Sequence, residues 1–151
     1  MIRDARADDI PVLTDLIAGF YAEAPYEAPE INREKAAFIL GYMIERVGDN
    51  VYVRVAEDAL FGVVGVLIAE RQSDLWSDAE KIVELIMYVE PAKRGSTLAG
   101  KLLLDFGKWC QIRPAVVRVE AGSGIDDAAV GSVFRKMGWA ERGVLYGAEA
   151  Y

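Results

Sequence analysis

Apolar residues return at three- and four-residue intervals through Ile10, Leu13, Leu16, Ile17 and Phe20, a spacing that lines one face of a helix, with Asp8 placed to cap its start. A short strand over residues 2–6 precedes it. A second stripe, Ala36, Ile39, Leu40, Met43 and Ile44, follows Asn32 as cap and stops at Gly48-Asp49-Asn50. Residues 51–57 and 61–71 are β-branched runs joined by a hairpin-length connection, and 81–90 forms a third strand, so the middle of the chain reads as a meander. Helical spacing resumes over 97–112 with Leu98, Leu102, Leu103, Phe106 and Trp109, and a strand at 116–121 completes one β-α-β unit. Asp126 or Asp127 caps a last helix carrying Val130, Val133, Phe134 and Met137, which Gly138 stops. Two short strands, 139–142 and 145–149, then close a single domain spanning 1–151. The predicted order is β-α-α-β-β-β-α-β-α-β-β, a mixed α/β fold.

Composition narrows the chemistry. The 151 residues are 53% hydrophobic and 27% charged, a globular balance, and no apolar run approaches a membrane span. A polar N-terminal sequence in place of a signal peptide points to the cytoplasm. There is no histidine, which removes imidazole bases and triads and the usual zinc sites, so no metal site is expected. Cys110 is the only cysteine, and without a histidine partner it reads as a small core residue. The net charge of −7 argues against a nucleic-acid partner, yet residues 91–118 carry six basic side chains against Asp105, a local +5 that leaves −12 elsewhere.

That basic stretch opens on Val89-Glu90-Pro91-Ala92-Lys93-Arg94-Gly95-Ser96-Thr97-Leu98-Ala99-Gly100-Lys101-Leu102-Leu103. A strand ends in a proline, a small-residue turn follows and a helix begins, which offers backbone amides to a phosphate. Gly95 to Lys101 has the G-x-x-x-x-G-K spacing of a P-loop nucleotide binder, but Leu102 stands where that loop needs Ser or Thr for magnesium. The segment resembles more closely the acetyl-CoA motif of the GNAT N-acetyltransferase superfamily, V-x-P-x-x-R-G-x-G-x-[GA] followed by two leucines. Val89, Pro91, Arg94, Gly95, Ala99, Leu102 and Leu103 fall in place, and Thr97 replaces the middle glycine. The opening Ile2-Arg3-Asp4-Ala5-Arg6 and the ending Lys136-Met137-Gly138-Trp139, similar to the family's K-x-G-F, extend the likeness over the chain.

The resemblance implies a central mixed sheet of six to seven strands flanked by about four helices, and acetyl transfer from acetyl-CoA to a primary amine by direct attack. By the same likeness, Gly95, Ser96, Thr97, Leu98 and Ala99 would hold the pyrophosphate with Arg94 adding charge. Met87, Tyr88 and Val89 would pair with the pantetheine arm, an amide of Met87 or Tyr88 facing the thioester oxygen. Asp127 and Phe134 would lie beside the cofactor, although capping is the simpler role for Asp127.

Transfer to an amine needs a base, a polarised carbonyl and a donor for the departing thiolate. Glu84, beside an apolar run, is the candidate base, its pKa raised if buried; Glu90 and Glu120 rank below it. The family's proton-donating tyrosine falls at Phe134, whose ring has no proton to give. Tyr88, Tyr146, Ser123 or Ser132 would have to substitute, or the thiolate leaves to water.

The loop at 20–30, acidic and aromatic, suits a cationic amine on a small molecule or a protein, and Trp76 in the 73–78 connection can line the same site. A homodimer is compatible with the sequence. The competing expectation is a CoA-binding or protein-interaction module that keeps the fold without turnover.

Overall fold

The structure is a computed structural model and describes residues 1–24, 29–113, 116–122 and 127–143. Five strands form one sheet in sequence order: β1 (Ile2–Asp4), β2 (Val51–Asp58), β3 (Gly62–Ser73), β4 (Glu80–Val89) and β5 (Val116–Glu120). The first four are antiparallel neighbours, and β5 joins β4 in parallel. Helices α1 (Ile10–Glu23) and α2 (Arg33–Ile44) connect β1 to β2, α3 (Thr97–Gln111) crosses from β4 to β5, and α4 (Asp127–Lys136) follows.

Both faces of the sheet are covered, which explains why β3 is a near-continuous apolar run rather than an alternating one. On one face Leu13 and Leu16 of α1 and Leu40 and Met43 of α2 pack on Val53, Val55, Val66, Ile68, Ile86 and Tyr88. On the other, Leu102, Leu103, Phe106 and Cys110 of α3 pack on Tyr52, Ala56, Leu67, Ala69 and Ile82, with α4 and Trp139 at the edge.

The caps follow the local chemistry. Asn32 accepts from the Lys35 amide at 2.9 Å and starts α2 as expected. At α1 the role expected of Asp8 falls to Asp9, which ends a 3-10 turn (Ala7–Asp9), accepts from the Arg6 amide at 2.7 Å and is gripped by Arg3 at 2.8 and 3.0 Å. Asp9 is the buried one of the two neighbours, so it alone meets the buried Arg3 fork; that guanidinium holds its carboxyl below the usual range.

The sheet has five strands among the described residues, not the six or seven expected. Residues 139–143 form no strand, because α4 ends at Lys136 in a turn through Gly138 (φ +81°) and the chain folds Trp139 back to stack on Phe134, with ring centroids 5.2 Å apart. The strand expected at 145–149 lies outside the described residues.

One irregularity positions everything that follows. Ala69 pairs with Glu84 but Ile68 pairs with Ile86, leaving Leu85 as an extra residue, a β-bulge in β4. Paired residues share a face, so Ile82 and Glu84 lie on the α3 side while Ile86 and Tyr88 lie on the α1–α2 side.

Candidate functional site

Strand β5 pairs with β4 only from Glu80 to Val83. Strand β5 ends at Glu120, opposite Val83, and among the described residues no strand covers the β5-facing edge of β4 from Glu84 to Val89. That edge forms a wall of backbone donors and acceptors. Met87 and Val89, expected to pair with a pantetheine arm, lie on this wall; Leu85, on the bulge, is half exposed.

Glu84 sits where the pairing with β5 stops. Its Oε2 accepts from the Gly122 amide, just past the end of β5, at 3.1 Å. Burial pushes its carboxyl up to about 7, and that amide only partly offsets the effect. A carboxyl that titrates near neutrality beside an open strand edge is suited to taking a proton at pH 7.

At the other end of this edge, residues Pro91–Lys93 make a 3-10 turn and α3 begins after Ser96, whose Oγ accepts from the Leu98 amide at 3.3 Å. Gly95 has φ +79°, the left-handed region that disfavours a side chain. Gly95, Ser96 and Thr97 are exposed, and the first-turn amides of α3 lack intrahelical partners. Gly100 and Lys101 are already inside α3, and Leu102 is fully buried in the core. The P-loop reading fails on this geometry, since its second glycine and lysine belong to a loop around the phosphate. Exchanging Gly95 for alanine is expected to lower stability by about 1 kcal/mol through backbone strain and to weaken any ligand of this turn, measured by urea denaturation and calorimetry.

The charges here are largely committed. Lys93 Nζ lies 3.3 Å from Asp58 and 3.6 Å above the Phe61 ring. Arg94 gives Nη1 and Nη2 to Glu23 at 2.7 and 3.0 Å and Nε to the Val89 carbonyl at 2.9 Å. Arg113 is enclosed by the carbonyls of Gly48, Asp49 and Trp109, and Arg118 faces Asp74 and Glu120. Of the six basic residues behind the local +5, Lys101 and Lys108 carry no ion pair among the described residues; Lys101, on the first turns of α3, is the exposed cation there.

Tyr88 does not join Glu84. It lies across the sheet, its hydroxyl donating to Glu23, and burial followed by that carboxylate pushes it up to about 12. Gly19 of α1 permits this contact: a Cβ there would come within 2.8 Å of the Tyr88 hydroxyl oxygen. Phe134 is half-buried against Trp139. Glu120 is paired with Lys81 and Arg118, and the Glu90 carbonyl accepts from the Lys93 amide in the turn. Cys110 is buried, and burial pushes its thiol up to about 12. Trp76 is 90% exposed at the far end of β3 and β4. Asp127 begins α4; Tyr146, Ser123 and residues 25–28 of the acidic loop lie outside the described residues.

Sequence reasoning missed Glu23 and Gly19. Glu23 stands 65 residues from Tyr88 and 71 from Arg94, and no local pattern joins them.

No family model matches the sequence, and no curated protein matches it. Solved structures do. Glucosamine-6-phosphate N-acetyltransferase from Arabidopsis thaliana superposes with a TM-score of 0.73 at 12% identity, covering 99% of this chain and 97% of that one. An aminoglycoside acetyltransferase from an uncultured soil metagenomic sample, in complex with sisomicin, gives 0.66 at 18% identity over 100% and 95%. A GNAT family acetyltransferase from Staphylococcus aureus gives 0.64 at 13% identity over 99% and 98%. The chain has the GNAT fold, and these structural neighbours are acetyltransferases. Among the described residues no helix is long and apolar enough to cross a membrane.

Proposed function

We propose that this chain is an acetyl-CoA-dependent N-acetyltransferase acting on a primary amine in the cytoplasm. The observation that carries the reading is Glu84, a buried carboxyl pushed up to about 7 where the pairing of β5 stops, at one end of a strand edge whose other end leads into a helix-start turn. The residues present fit the cofactor: an uncovered strand edge for an amide-bearing arm, a left-handed glycine and first-turn amides for a pyrophosphate, and Lys101 nearby as an exposed cation. When bound, acetyl-CoA supplies the activated acyl group.

The protein's own part is electrostatic and positional. Adjacent amides of a strand point to opposite edges, and Glu90, in phase with Tyr88, gives its N–H to Val64 of β3, so the Met87 amide is the donor available on the uncovered edge to an oxygen that gains charge; it needs no reorganisation because the strand is held by β3 on its other side. Glu84 accepts the proton that the attacking nitrogen sheds. The acidic surroundings attract a cationic acceptor to an otherwise neutralised site. Two neighbours act on amine-bearing sugars by their names, and an acceptor of that class fits the same electrostatics.

A second reading, a CoA-binding module without turnover, is favoured by one arrangement: Phe134 stands in the tyrosine position, and the Tyr88 hydroxyl already donates its hydrogen bond to Glu23 on the opposite face. The two readings separate in one experiment. The enzyme reading expects CoA to raise the melting temperature and free CoA to be released from acetyl-CoA with at least one member of a primary-amine panel. Stabilisation without release for any amine supports the module, and no stabilisation by CoA removes both.

A further inference from the structure

Arg94 presents a planar fork of N–H groups matched to an anion, and a carboxylate from α1 already fills it. Both oxygens of Glu23 are used: one takes Nη1, the other takes Nη2 together with the Tyr88 hydroxyl. The side chains are 29% and 30% exposed, so this pair lies at the rim of the core, within reach of solvent. Arg94 is also the residue immediately before Gly95, where the chain turns into the first amides of α3. An anion bound by those amides sits within the same short turn as a guanidinium that is held away from it by Glu23.

We propose that Glu23 is an internal competitor of the cofactor's diphosphate for Arg94, a residue that sets cofactor affinity from another helix without itself touching the cofactor. The inference rests on the acyl-CoA reading of the site. An arriving diphosphate exchanges Glu23 for phosphate oxygens in the fork, and Arg94 keeps its Nε bond to Val89 as the pivot. The exchange subtracts the worth of one partly exposed ion pair from the binding free energy. For pairs of this exposure that is at most about a fivefold change in affinity.

Isothermal titration calorimetry with CoA itself tests this without turnover. Glu23→Gln is expected to bind CoA about fivefold more tightly than the unaltered chain, because Arg94 is released in advance. Arg94→Gln is expected to bind more weakly, and Glu23→Gln added to it changes nothing further. If Arg94 is only a tether between α1 and β4, Glu23→Gln weakens CoA binding or leaves it unaltered, and either result overturns the proposal. If the unaltered chain binds no CoA, the acyl-CoA reading falls and this one with it. Circular dichroism checks folding. Should Glu23→Gln fail to fold, Glu23→Asp, one methylene too short to fill the fork, is expected to tighten binding by a smaller factor, and the same opposite results overturn the proposal.

Discussion

Replacing Glu84 with glutamine is expected to slow acetyl transfer to a primary amine by about a hundredfold or more at pH 7, the usual range for loss of a general base. The same change is expected to raise the melting temperature at pH 8. Both effects have one origin. Burial raises the folded-state pKa of Glu84 from 4.5 to about 7, so the carboxylate is available near neutrality and is also the costly form in the folded protein. Between those two values the folded chain binds the proton that the unfolded chain has lost, and stability falls as pH rises through the window. Glutamine removes that cost and keeps an oxygen for the Gly122 amide. The unaltered protein should gain activity as pH rises through about 7, and the variant should lack that limb. A rate unaffected at every pH removes Glu84 from the chemistry. A lower melting temperature at pH 8 shows instead that its charge is well accommodated.

Replacing Phe106 with alanine is expected to cost about 3–5 kcal/mol, the range for deleting a buried aromatic ring. Phe106 is fully buried and central to the α3 face: its ring centroid lies 5.3 Å from Tyr52, 6.3 Å from Trp109 and 6.0 Å from Trp139. These partners come from β2, α3 itself and the segment after α4, so no single shift refills the void. At roughly 2–4 °C per kcal/mol for a chain of this size, the melting temperature should fall by about 10 °C. Urea denaturation measures the cost directly. A loss below about 1 kcal/mol would mean that the aromatic cluster collapses onto the gap.

Most of the fold was legible because burial on two faces writes itself as periodicity. The helical stripe through Leu102, Leu103 and Phe106 and the β-branched runs of β2 and β3 appear where the spacing puts them. The Asn32 cap was readable because it acts three residues away. Asp8 and Asp9 carry the same side chain one position apart, so only the placement of Arg3, on the preceding strand six residues from Asp9, decides between them. The segment after α4 opens on a strand-favouring tryptophan, which stacks on Phe134 and meets Phe106 edge-on instead. In the site, Glu84 was identified from the apolar run beside it, whereas its separation from Tyr88 was invisible. Alternation predicts residues 84, 86 and 88 on one side, and nothing in Glu84-Leu85-Ile86-Met87 announces an extra residue. The commitment of Arg94 to Glu23 was equally hidden, since it joins a helix end to a turn far along the chain.

The extra residue at Leu85 divides β4 into two frames, with opposite parity on either side of it. Point substitutions leave both frames in register, so the effect of each stays with the side chain replaced. Loss of one residue between 84 and 86 would restore a single parity. Either Ile82 leaves the α3-side core and Glu84 turns toward α1, or Ile86 and Tyr88 leave the α1 side. The lineage of such a strand can thus explore chemistry by replacement but not by change of length.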